Sequence, residues 1–108
     1  MEVTFNDPGL RLICEDDDVT TETYSESIAH TTQNRIAGFQ AALSLNDIII
    51  GQLTQLDDDT FRINLINNFV IHFSAVNRNI TRNAQGKMNK RFVNRIKLLS
   101  IESHIITQ

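Results

Sequence analysis

Phe61–Val76, FRINLINNFVIHFSAV, decides how this chain folds. Phe61, Ile63 and Leu65 alternate with Arg62, Asn64 and Ile66, and Phe69, Ile71 and Phe73 alternate with Val70, His72 and Ser74. A period of two puts successive side chains on opposite faces of a strand. Asn67-Asn68 between the two runs predicts a tight hairpin turn, because asparagine tolerates positive φ. After the hairpin comes a polar loop, NRNITRNAQGKMNKRF (Asn77–Phe92), and then a third apolar run within VNRIKLLSIESH (Val93–His104). Three antiparallel strands are expected from this region.

Upstream, EVTF (Glu2–Phe5) alternates and predicts a short first strand. Asp7-Pro8 predicts a helix start, with Asp7 as cap and proline at the first helical position. Leu10, Ile13 and Cys14 are spaced to bury one side of that turn. Thr20 and Thr21 are candidate caps for a long helix reaching about Leu43, with Ile28, Ala29, Ile36, Phe39, Ala42 and Leu43 on one face. A strand end and turn are expected over Leu53–Thr60. The fold class is therefore α+β, a small antiparallel sheet with N-terminal helices packed on one face, in a single domain over residues 1–108. The predicted core is Phe39, Ile63, Leu65, Phe69, Ile71 and Ile101.

Composition is ordinary for a soluble domain, with 41% hydrophobic and 21% charged residues, so the chain can build one modest core. Cys14 is the sole cysteine, which excludes an internal disulfide and fits a cytoplasmic location. The first residues lack the basic start and apolar run of a secretory leader, and no apolar stretch approaches a membrane span. A net charge of −3 hides an asymmetry. Met1–Asp59 carries twelve acids against two bases, and Thr60–Gln108 carries eight bases against one acid. The eight bases, Arg62, Arg78, Arg82, Lys87, Lys90, Arg91, Arg95 and Lys97, suit a phosphate-bearing polymer. Neutralisation of one half by the other across the fold accounts for the asymmetry equally well.

No cofactor is indicated. The four glycines form no phosphate-cradling loop, and His30, His72 and His104 share no metal-ligand spacing with Cys14. The chemistry-bearing candidates lie on or beside the last three strands. Arg62 and His72 fall on the alternate face from Phe61 and Phe73, where they can share a surface with Arg95, Lys97 and His104. Each alone is more often an ordinary solvent-facing residue. Together they have the makings of metal-free RNA cleavage. Histidine (His72 or His104) acts as base toward a ribose 2′-hydroxyl or as acid toward the leaving 5′-oxygen, and arginine holds the phosphate.

These segments, taken in order, resemble the HigB-like branch of the RelE/ParE superfamily of bacterial toxins. EVTFNDPGLRLIC resembles the family's first strand and first helical turn. RIAGFQAALSLNDI (Arg35–Ile48) resembles its second helix, FRINLINNFVIHF its paired strands, and the segment from Ser74 to His104 its long loop and final strand. The resemblance implies a RelE-like sheet with helices on one side and a ribosome-dependent mRNA endoribonuclease that inhibits translation. It also implies a tightly bound cognate antitoxin of the helix-turn-helix type, and contact with operator DNA only through the antitoxin complex. The expected site is His72, His104 and Arg62 for catalysis, with Arg78, Arg82, Lys87, Lys90, Arg91, Arg95 and Lys97 on RNA. At two places the sequence departs from the family pattern. The arginine of its second paired strand falls on Val70, and its acid-x-His element falls on Glu102-Ser103-His104. A non-catalytic binding or regulatory protein on the same fold is the alternative. Gyrase inhibition, as in the ParE branch, ranks below both.

Overall fold

The computed structural model describes residues 1–16, 18, 22, 24–49, 51–77, 84 and 88–103. Strand β1 (Glu2–Phe5) leads into helix α1 (Pro8–Glu15). Asp7 caps α1 as expected, its carboxylate accepting the Leu10 N–H at 2.7 Å, and Pro8 occupies the first turn. Leu10 and Cys14 are buried beneath it.

Helix α2 (Glu26–Ala41) starts later than the sequence reading placed it. Its cap is Ser25, whose hydroxyl accepts the Ile28 N–H at 3.2 Å, while Thr20 and Thr21 lie outside the described residues. The buried stripe explains the limits. Ile28, Ala29, Thr32, Ile36 and Phe39 face the core, and the stripe ends there. Ala42 already has extended backbone and Leu43 is 85% exposed, so the helix stops short of the expected Leu43. A 3-10 turn, Leu45–Asp47, follows.

Four strands and a second 3-10 turn come next: β2 (Thr54–Gln55), β3 (Thr60–Asn64), β4 (Phe69–Ala75), then Lys90–Phe92 and finally β5 (Arg95–Ser103). The sheet order is β1-β5-β4-β3-β2. The expectation of an antiparallel sheet needs correcting, because β1 runs parallel to β5 and the sheet is mixed. The two helices separate β1 from the other strands, so the chain is free to lay it alongside β5 in either direction. The Met1 ammonium is tied back to the end of α2 as well, donating to the carbonyls of Phe39 and Gln40 at 3.0 and 3.2 Å and to that of Ala42.

The hairpin turn forms as its asparagines predict. Asn67 and Asn68 have φ of 54° and 64°, and the Phe69 N–H closes the turn on the Ile66 carbonyl at 3.0 Å. Beyond it Ile63 pairs with Ile71, Arg62 with His72 and Phe61 with Phe73. Phe61, Ile63, Ile71, Phe73, Ile96 and Leu98 are almost wholly buried on the face that meets the helices. Phe39 stands edge-on to Phe73 at 5.1 Å, and Phe73 stacks on Phe61 at 5.6 Å. Of the predicted core, Phe39, Ile63, Leu65 and Ile71 are buried, while Phe69 and Ile101 sit half-buried at its margin. Among the described residues no helix is long and apolar enough to cross a membrane.

Phe39→Ala removes the ring that joins α2 to the sheet. It should lower unfolding free energy by about 3–5 kcal/mol in a urea melt. At the turn, Asn68→Gly should be tolerated, whereas Asn68→Val should cost about 1–2 kcal/mol through its left-handed backbone.

Candidate functional site on the sheet face opposite the described helices

The alternation that buries Phe61, Ile71 and Phe73 turns Thr60, Arg62, Asn64, Val70, His72 and Ser74 to the opposite face. On β5, Arg95 and Lys97 join them, since Ile96 and Leu98 point into the core. The pairings arrange this face in ranks. Ser100, His72, Arg62 and Thr54 form one rank across β5, β4, β3 and β2. Thr4, Lys97, Ser74 and Thr60 form the next, across β1, β5, β4 and β3. Neighbouring strands are about 4.8 Å apart, so groups in these ranks lie within reach of one phosphodiester unit.

Arg62 and His72 are therefore direct cross-strand neighbours, as the alternation predicts, and both are half-buried. Lys97 lies one rank away. Arg95 stands further along the same face, 3.1 Å from Glu2, and both side chains of that pair are more than half exposed. Lys90 is placed elsewhere. Its Nζ is 5.9 Å from the centroid of the buried Phe61 ring, on the helix side of the sheet. Its 3-10 turn packs against the Leu45–Asp47 turn, where the Leu45 N–H donates to the Val93 carbonyl at 2.8 Å. The exposed Arg91 belongs to that same turn. The four remaining candidates, Arg78, Arg82, Lys87 and His104, lie outside the described residues.

Glu102 is the candidate side chain that strand alternation did not single out. His72 Nδ1 lies 2.8 Å from Glu102 Oε2, and the imidazole is 27% exposed. A carboxylate this close to Nδ1 favours the tautomer protonated there, which leaves the Nε2 lone pair as an acceptor. Val70, where the resemblance puts an arginine, is 3% exposed on this face, flanked by Asn64 and Glu102. A buried valine stands where the family's guanidinium would supply charge.

Other chemistry is less well served. Among the described residues no group of three or more histidines, cysteines or acids is placed to hold a metal ion. Clefts of about 360 and 390 Å³ lie elsewhere, the first beside Arg35, Phe39 and Ile49, the second beside Val3, Pro8 and Arg11. Arg62, His72 and Lys97 line neither cleft. Cys14 is 1% exposed, and burial chiefly, then the Glu15 charge, pushes its thiol from 9.0 up to about 12. It is a packing residue, without the depressed pKa of a nucleophile.

Compared with protein-family models, with curated proteins and with solved structures, the chain gives no match.

The Cys14 shift predicts alkaline instability. The unfolded thiol ionises from about pH 9 while the folded one stays protonated, so stability is complete below pH 9 and falls as pH rises toward about 12. The loss should reach at most about 4 kcal/mol. Urea melts at stepped pH should show this slope in the wild type and a shallower one in Cys14→Ala.

Proposed function

We propose that the sheet face opposite the described helices binds RNA and cleaves it without a metal, as a HigB-like toxin acting on mRNA at the ribosome. The observation that carries this reading is the direct opposition of Arg62 and His72, with Glu102 on the far side of the imidazole. In this scheme His72 Nε2 takes the proton of a ribose 2′-hydroxyl. The 2′-oxygen attacks phosphorus, and the bond to the 5′-oxygen breaks. Arg62 and Lys97 offset the charge that builds on the non-bridging oxygens. His104 is assigned to protonate the leaving 5′-oxygen, by the resemblance of Glu102-Ser103-His104 to the family's acid-x-His element. Arg95 and the loop bases Arg78, Arg82 and Lys87 extend the contact along the strand or the ribosome. Lys90 and Arg91, in their turn beside the helical layer, contribute at most at the rim. The partner is a helix-turn-helix antitoxin whose acidic segment covers the same face in the cytoplasm, and operator DNA is met through that complex.

Val70 favours a second reading. With an apolar residue in place of the family's arginine, the fold serves as a non-catalytic binding or regulatory partner.

Translation-coupled mRNA cleavage separates the two. His72→Gln should lower the wild-type rate roughly 10²–10⁴-fold. Lys97→Ala should weaken binding most at low salt and reduce the salt dependence of affinity. Full activity in the His72→Gln, His104→Gln double variant overturns the assignment. A wild type that copurifies with its partner but cleaves nothing in the presence of ribosomes supports the second reading.

A further inference from the structure

Lys97 and Glu102 share one face of β5 although an odd number of steps separates them. In a regular strand, residues five apart face opposite ways, so Glu102 would share the core side with Leu98. It does not, because β5 carries one extra residue. His72 pairs with Ser100 and Phe73 with Leu98, which leaves Leu99 without a partner on β4. This is a bulge, and beyond it the facing of β5 reverses. Ser100 and Glu102 turn to the face opposite the described helices, and Ile101 turns to the margin of the core opposite Ile71. The reversal brings the Glu102 carboxylate to 2.8 Å from His72 Nδ1.

We propose that the Leu99 bulge exists to deliver Glu102 to His72, and that Glu102 is a positioning residue that holds the imidazole proton on Nδ1. This rests on the reading of His72 as the base in RNA cleavage. Its consequence is chemical. A free neutral imidazole favours the proton on Nε2, and in that tautomer the nitrogen directed away from Glu102 has no lone pair to accept a 2′-hydroxyl proton. The carboxylate reverses the preference before substrate arrives. Once His72 has taken that proton, the same carboxylate stabilises the imidazolium. Both roles follow from the 2.8 Å approach of the carboxylate to Nδ1, and neither requires Glu102 to touch the substrate.

The test reads the tautomer directly and the cleavage rate separately. In the chain with ¹⁵N-labelled histidine, two-bond ¹H–¹⁵N correlations report which ring nitrogen of neutral His72 carries the proton. The wild type should show Nδ1–H. Glu102→Ala should move the proton to Nε2, and cleavage should fall about 10²-fold in kcat with little change in KM. Glu102→Gln, whose amide oxygen can still accept from Nδ1–H, should retain the wild-type tautomer and recover part of the rate. Deletion of Leu99 should match Glu102→Ala in tautomer if the chain stays folded. An Nε2–H wild type, or a tautomer unmoved in Glu102→Ala, overturns the proposal. If the tautomer behaves as expected and wild type with ribosomes cleaves no RNA, the positioning role stands and the ribonuclease reading fails.

Discussion

The pairing of β4 with β5 is the constraint on which the rest of the molecule depends. β5 lies between β1 and β4, so it joins the first strand of the chain to the hairpin formed by its middle. Its first half buries Ile96 and Leu98 against the helices; its second half, past Leu99, turns Ser100 and Glu102 outward. A single change of step thus serves two surfaces. The core retains an unbroken apolar lining, and the outer face gains a carboxylate beside its histidine. β4 stays in regular alternation throughout, with Val70, His72 and Ser74 on one side and Ile71 and Phe73 on the other.

The charge asymmetry of the chain has a partial structural counterpart. Arg11 and Glu15 are successive-turn neighbours on α1, 3.2 Å apart, and His72 meets Glu102 within the C-terminal half. Glu2 with Arg95 joins the acidic half to the basic half, and that pair is too exposed to contribute more than about 0–1 kcal/mol. Mutual neutralisation across the fold is therefore slight among the described residues. Arg62 and Lys97 are half-buried on the sheet face itself, where their stems lie against neighbouring side chains and their charges are less fully hydrated than those of residues at a helix surface.

The parts of this fold legible in the sequence are those set by local physics. Strict alternation from Phe61 to Ser74 gives both strands and the facing of Arg62 and His72. Two asparagines give the turn, and Asp7-Pro8 gives the start of α1. The parts that were not legible depend on distant segments. Nothing in EVTF announces a parallel partner, because the intervening helices leave either direction open and only the packing of distant segments selects one. Ser25 caps α2 because the buried stripe begins at Ile28, three residues beyond it. Lys90 looks like another loop base until its turn is seen packed beside Leu45. Leu99 carries no local mark of a bulge in a run as apolar as IKLLSI. Glu102 was visible as an acid near His104, but its partnership with His72 is created by that bulge.

The order of strands has a consequence for how the protein comes into being. β1 precedes every other described strand, yet its sheet partner is β5, the last described one, with Glu2 paired to Arg95. During synthesis the hairpin of β3 and β4 can form as soon as it emerges, since its contacts are local. β1 cannot take its place until almost all the remaining elements have been made. For most of translation the sheet is an incomplete hairpin with the β4 edge open, and apolar Phe5 and Val3 wait without their strand. Loss of β5 would remove an interior strand and leave two open edges. A chain cut short there should be handled by the cell as an unfolded protein.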